Sequence, residues 1–187
     1  MKKGQLIIIS GPSGVGKGTI IQELLKLVPN LHLAISATTR KPRKNETNKN
    51  DYYFLSDVEF STRIEKGDFL EWVIFQDHKY GTLTSEVTKW VQKGHNVILE
   101  IDTKGAKKVQ DLEEFSHELV SIFIMPPTFE DLYNRLHGRQ TNLKEDIDSR
   151  LHMAGKELAA IGQYGYIVVN KSVSDAANEI ISIIEKE

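Results

Sequence analysis

The stretch Gly11-Pro12-Ser13-Gly14-Val15-Gly16-Lys17 carries the most specific chemistry in the chain. Its glycines open backbone conformations closed to other residues, so successive N–H groups can turn inward around a phosphate. Lys17 adds a full positive charge, and the start of the following helix adds a partial one. The spacing G-x-x-x-x-G-K is that of a phosphate-binding P-loop. The context it requires is present, with the apolar run Leu6-Ile7-Ile8-Ile9 before it and Ile20, Ile21, Leu24 and Leu25 at helical spacing after it. Gly11, Pro12, Ser13, Gly14, Val15, Gly16, Lys17, Gly18 and Thr19 are the candidate contacts to nucleotide phosphates. Gly18 stands where the pattern uses Ser or Thr to hold magnesium. Either Thr19 takes that role or the metal is held through water, and the sequence leaves both open.

Two further sets of residues could do phosphate chemistry. Between Thr38 and Asn50 the chain carries Arg40, Lys41, Arg43, Lys44 and Lys49 and almost no apolar residue. The lysines read as solvated. Arg40 and Arg43, set around Pro42, form a candidate phosphate clamp, because guanidinium forks bind phosphate bidentately and proline limits the loop's freedom. Farther on, Val97-Ile98-Leu99-Glu100-Ile101-Asp102 is a buried strand that ends in acids. Downstream of a P-loop such acids hold magnesium or its waters, or they cap the next helix. Alternation puts Glu100 and Asp102 on one face.

These residues need a scaffold, and the apolar pattern supplies one. Strands are expected near 5–10, 32–36, 95–101, 118–124 and 165–169, alternating with helices near 17–28, 85–93 and 143–161 and with a helix after Thr128. Ala177, Ile180, Ile181 and Ile184 should form the buried face of a last helix capped by Ser172 or Ser174. The alternation implies an α/β fold with a mostly parallel sheet covered on both faces. From 36 to 84 the texture changes to short strands around Tyr52-Tyr53-Phe54-Leu55 and Phe69 to Phe75. Between them Ser56-Asp57-Val58-Glu59 reads as a capping box and Gly67 as the stop of a short helix. The organisation expected is a core over 1–35, a small β-rich insert over 36–84, core again over 85–128, a lid region over 129–150 and core over 151–187. Arg135, Gly138, Arg139 and Gln140-Thr141-Asn142 make a polar segment between two helices.

Composition narrows the function classes. The 187 residues suit one domain with a well-buried core. Twenty-four basic and 26 acidic side chains give a net charge of −2, with no global bias toward nucleic acid or anionic membrane. There is no cysteine, hence neither disulfide nor thiolate chemistry. No apolar run approaches the roughly 18 residues of a membrane span, and the N-terminal strand is too short for a signal segment. The expectation is a cytoplasmic protein with no nucleic-acid or membrane partner.

Read together, the motifs resemble the guanylate kinase family from end to end. They are the P-loop, then Ser36-Ala37-Thr38-Thr39-Arg40-Lys41-Pro42-Arg43, Asp51-Tyr52-Tyr53-Phe54, Gly67-Asp68-Phe69-Leu70-Glu71-Trp72, Tyr80-Gly81-Thr82, the strand ending in Asp102, and Arg135-x-x-Gly138-Arg139. The resemblance implies a P-loop NTPase core with a GMP-binding insert and a helical lid. It implies transfer of the γ-phosphoryl of ATP to GMP, and to dGMP, with Mg²⁺. Carried over residue by residue, the GMP site would comprise Ser36, Arg40, Arg43, Tyr52, Glu71, Tyr80, Gly81, Thr82, Glu100 and Asp102. Lys17, Arg40, Arg135, Arg139 and Arg150 would be catalytic, Asn170 would border ATP, and Thr19 or, through water, Asp102 would serve the metal. The chemistry of guanine fits, since a Glu71 carboxylate can accept from both N1–H and the 2-amino group while Ser36 and Thr82 donate to O6. Gly18, Glu100, Lys79 and the Lys171-Ser172 that follows Asn170 depart from the family pattern, and together they bear on the metal shell and donor-base contacts more than on the acceptor site. Two other readings are a non-catalytic guanylate-kinase-like protein-binding module and a same-fold kinase for another phosphorylated substrate. Monomer and homodimer are both open.

Overall fold

Runs of β-branched and aliphatic residues with no polar interruption suit strands buried on both faces, and the computed structural model makes strands of them. It describes residues 4–115, 119–137 and 144–187, with side chains from 151 onward in the last stretch. The chain begins with strand β1 (Leu6–Ser10), all five of whose residues are buried, and runs through the glycine loop into helix α1 (Lys17–Leu27). Strands β2 (Leu31–Leu33), β3 (Ser36–Thr38) and β4 (Tyr53–Phe54) follow, then helix α2 (Asp57–Glu65) and the long strands β5 (Phe69–Phe75) and β6 (His78–Leu83). Helix α3 (Thr84–Val91), β7 (Asn96–Glu100), α4 (Thr103–Gln110) and β8 (Leu119–Met125) come next. The chain closes with α5 (Phe129–His137), α6 (Lys144–Leu158), β9 (Tyr166–Val169) and α7 (Val173–Lys186).

Five strands form one sheet in the order β2-β7-β1-β8-β9, with β8 and β9 parallel. The other four form a second sheet in the order β4-β3-β6-β5. By its contacts the chain divides into two compact units, one made of Met1–Leu6, His32–Leu99 and Lys104–Leu119, the other of Ile7–Leu31, Glu100–Thr103 and Val120–Glu187.

In the first unit the expected capping box is present. Ser56 Oγ accepts from the Glu59 N–H at 3.2 Å while the Glu59 carboxylate accepts from the Ser56 N–H at 2.8 Å. Gly67 ends the helix at φ 69°. Phe60, fully buried, stacks on Phe69 at 4.3 Å and so fastens α2 to β5. β5 and β6 are antiparallel and joined through Gln76 and Asp77, both at positive φ, as a two-residue hairpin turn requires. In the second unit α1 packs on α7 and α5 on α6. Ser172 caps α7 through the Asp175 N–H at 3.1 Å, which decides between the two candidate serines.

Some expectations needed correction. The single strand near 32–36 is two short strands, β2 and β3, which belong to different sheets. The buried face of α7 is Ala176, Ala177, Ile180 and Ile184, while Ile181 is only half-buried. Helix α4 has no counterpart in the sequence reading because Lys104, Lys107 and Lys108 dominate its composition, although Gly105, Ala106 and Val109 make a buried face.

Candidate active site

The phosphate loop takes the shape its glycines permit. Gly11, Gly14 and Gly16 all have positive φ, and Gly16, at 102°, is the N-cap of α1. A Cβ on Gly16 would lie 2.6 Å from Asn170 Nδ2, so this position needs glycine for space as well as conformation. Asn170 is buried and donates from Nδ2 to the Val15 carbonyl at 2.7 Å. Arg135, in the last turn of α5, donates to the same Val15 carbonyl and to the Asn170 carbonyl, each at 2.9 Å. Asn170 and Arg135 therefore brace the loop from behind, leaving its amides unencumbered by them. Lys17 Nζ donates to the carbonyls of Gly11 at 2.5 Å and Pro12 at 3.2 Å, curled along the loop it belongs to.

Burial lowers the Lys17 ammonium below its ordinary range, and the charges of Glu100, Glu157 and Asp102 oppose that shift. The first and third were expected here from the acid-ended strand. Desolvation raises the Glu100 carboxyl and Lys17 pulls it back. Glu157 was not foreseen. It lies at the end of α6, three residues after the fully buried Ala154. Nearby, burial pushes the Tyr164 phenol up to about 12.

Among the described residues no group of three or more His, Asp or Glu could hold a metal by itself. Thr19 is exposed, and a Cβ on Gly18 would meet nothing within 4 Å. This donor set fits a magnesium ion bound chiefly by substrate phosphates and water, which is the usual habit of that ion. Arg139 and the polar residues around it lie outside the described residues, as does the side chain of Arg150.

The second sheet assembles the other candidate residues. Arg40 is clamped by Glu46, Nη1 to Oε2 at 2.8 Å and Nη2 to Oε1 at 2.9 Å, and Glu46 also accepts from the Arg43 N–H at 2.7 Å. The pairing raises the Arg40 guanidinium and lowers the Glu46 carboxyl. Arg40 Nε is buried and has no hydrogen-bond partner. The Tyr52 ring lies 5.3 Å from the guanidinium carbon and 6.3 Å from the Tyr80 ring. Arg43 points outward, with three quarters of its side chain exposed and its guanidinium 4.0 Å from Glu46. The sequence reading passed over Glu46, whose signal was an acid three residues beyond Arg43 in an otherwise basic loop.

Ser36, Thr82 and Glu71 come together by strand register. Ser36 pairs with Thr82 across β3 and β6, and Glu71 pairs with Thr82 across β5 and β6. A bulge at Leu70 makes this possible, since Phe69 pairs with Leu83 and the next pair is Glu71 with Thr82. Without the extra residue Glu71 would oppose Gly81. Bulges re-aim side chains in this way. Glu71 becomes the one buried residue of β5, 4% exposed. Thr82 Oγ1 donates to Glu71 Oε1 at 2.9 Å. Thr82 has a single proton to give, and here it goes to the Glu71 carboxylate. Gly81 is fixed by crowding, because a Cβ there would lie 2.7 Å from the Glu71 carbonyl oxygen and 2.8 Å from Trp72 Cβ.

Two candidate anion sites, each on its own unit, and a buried carboxylate are thus described. Comparison with known proteins decides what they belong to. The family model described as guanylate kinase matches residues 3–187. The chain belongs to the guanylate kinase family. A guanylate kinase of Clostridioides difficile is 43% identical over 187 residues, covering all of this chain and 90% of that protein. One from Caldanaerobacter subterraneus is 46% identical over 186 residues, covering 100% and 89%. The crystal structure of guanylate kinase from Anaplasma phagocytophilum superposes with a TM-score of 0.81 at 31% identity, covering all of this chain and 87% of that one. The α/β fold with its parallel sheet flanked by helices is that of the guanylate kinases.

Proposed function

We propose a division of labour for the family's reaction on this chain's residues. The protein is an ATP:GMP phosphotransferase, moving the γ-phosphoryl of ATP to GMP to give ADP and GDP. On the donor side the P-loop amides and Lys17 hold the phosphates, with Asn170 and Arg135 keeping the loop in shape. On the acceptor side Arg40, Arg43, Tyr52 and Tyr80 hold the monophosphate. Arg40 comes to it already oriented by Glu46, with its buried Nε still to be satisfied. Glu71 reads guanine, steadied by Thr82 and flanked by Ser36. The observation that carries this reading is the buried, hydrogen-bonded Glu71 in an otherwise more exposed strand. A carboxylate is taken out of water at a cost unless donors meet it, and guanine offers two adjacent ones.

The monophosphate oxygen is already a nucleophile, so the protein mainly aligns and neutralises, and no covalent intermediate on the chain is needed. Magnesium, held by ATP phosphates and water with Asp102 beside them, would neutralise charge on the transferring group. Arg139 and Arg150 are assigned to the same neutralisation, and the insert over 36–84 and the lid over 129–150 to acceptor and closure roles. Among the described residues no helix is long and apolar enough to cross a membrane. With the absence of cysteine, that supports a cytoplasmic enzyme acting on small nucleotides.

A coupled ADP-release assay over GMP, dGMP, AMP, UMP and CMP tests the reading. GMP and dGMP should be used and the others scarcely. Lys17→Ala should lower turnover by about 10²- to 10³-fold or more, with the fold intact. Equal use of all five acceptors would contradict the acceptor site, and normal turnover in Lys17→Ala the donor site.

A further inference from the structure

A buried carboxylate ties together the two chain segments that carry Tyr52 and Tyr80. Glu86 lies in the first turn of α3 and is 5% exposed. Its Oε2 accepts from the Tyr53 hydroxyl at 2.9 Å and from Lys89 Nζ, one turn on, at 2.8 Å. Tyr53 belongs to β4, an edge strand of two residues that pairs with β3 at Ala37–Tyr53 and Thr38–Phe54. A ladder so short holds a strand weakly. Alternation puts Tyr53 on the face opposite Tyr52 and Phe54, and those two rings both lie against Arg40, 5.3 and 5.8 Å from its guanidinium carbon. Glu86 stands four residues after Thr82, on the helix that directly continues β6, the strand of Tyr80. The Tyr52 and Tyr80 rings meet edge to face at 6.3 Å.

Taking a carboxylate out of water is costly, and an apolar pair in the same place would secure the strand as well or better. What the charged hydrogen bond adds is a fixed position for one hydroxyl, and with it for the residues on either side of Tyr53. Burial, together with the Glu86 bond, raises the Tyr53 phenol, which keeps it a proton donor at neutral pH. We propose that Glu86 and Tyr53 are positioning residues for the acceptor phosphate: their bond holds β4 to α3 so that the Tyr52 hydroxyl meets the phosphate of GMP beside Arg40 and Tyr80. Both act through Tyr52 and its neighbours and not on the substrate. The inference rests on the reading of Tyr52 as a ligand of that phosphate.

The test is steady-state kinetics of the full chain with GMP and ATP varied in turn, with thermal melts of each variant. Tyr53→Phe removes one oxygen and should raise KM for GMP about five- to tenfold, the worth of one buried hydrogen bond to a charged group. kcat and KM for ATP should stay within about twofold of wild type. Glu86→Leu should match Tyr53→Phe, whereas Glu86→Gln, which keeps an acceptor for the phenol, should recover most of the loss. Tyr52→Phe should itself raise KM for GMP, and adding Tyr53→Phe to it should cost less than the product of the two single effects, because the contact being aimed is already gone. A lower melting temperature with unchanged KM for GMP, or equal rises in KM for GMP and ATP, in Tyr53→Phe would make the pair merely structural and overturn the proposal, even if Glu86→Leu fails to fold. Wild-type KM for GMP in Tyr52→Phe would instead remove the phosphate reading of Tyr52 beneath it.

Discussion

Thr82 and Glu71 are joined side chain to side chain at 2.9 Å, and both are buried, 1% and 4% exposed. The hydroxyl gives its proton to one carboxylate oxygen and so fixes the plane in which that carboxylate meets a base. Thr82→Val keeps the shape and removes the donor. It should lower kcat/KM for GMP by about 1–3 kcal/mol in transition-state terms, the usual cost of an unsatisfied buried acceptor. Steady-state kinetics against Thr82→Ser, which keeps the hydroxyl and should lose much less, check this.

Gly81 sits between strands with no room for a methyl group. Gly81→Ala should force β5 and β6 apart at the bulge that aims Glu71, since the added Cβ would meet backbone oxygen at 2.7 Å. A loss of about 1–3 kcal/mol in denaturant-unfolding stability is expected, with a parallel rise in KM for GMP. KM for ATP should change little.

The register shows where sequence reasoning ends. The motif Gly67 to Trp72 named Glu71 as a site residue, but strict alternation along Phe69 to Phe75 left its face undecided. Only the bulge at Leu70, an effect of how β5 pairs with the neighbouring β6, turns it inward. The P-loop was legible whole because its chemistry is local: glycines, lysine, strand before and helix after all lie within about 20 residues. The capping box at Ser56 was legible for the same reason. Glu157 was not, since a lone acid near the end of a helix reads as solvated. Helix α4 was lost because its short apolar face lies among lysines.

Glu46 supplies a pH dependence with a definite sign. Arg40 and the Arg43 amide hold its carboxyl below the ordinary 4.5, so the folded state binds that proton less readily than the unfolded chain. The stabilisation is fully present above the ordinary value and is lost as pH falls through the lower folded one. Wild type should therefore lose stability on acidification below about pH 4.5, and Glu46→Gln should lose less over the same interval. Thermal melts between pH 7 and pH 3 measure the difference, and parallel slopes for the two proteins would deny Glu46 this part.

Arg135 ties two carbonyls behind the phosphate loop. Arg135→Ala should weaken ATP binding and lower turnover together, whereas Arg135→Lys, a single point charge without the fork, should restore little of either. Titration with ATP and single-turnover rates separate the two effects. Full rescue by lysine would mean that charge and not the bidentate brace is what matters.

The most direct test of the account is base discrimination at Glu71. AMP lacks the 2-amino group and presents an acceptor at N1, so wild type should favour GMP by about 10⁴ or more in kcat/KM. Glu71→Gln keeps the shape but turns a donor toward guanine's donors. Efficiency with GMP should fall by about 2–3 kcal/mol, while the trace efficiency with AMP falls much less or rises. Measuring kcat/KM for both nucleotides in both proteins gives the answer: a collapse of the GMP-to-AMP ratio supports guanine reading by Glu71, and an equal proportional loss for the two nucleotides contradicts it.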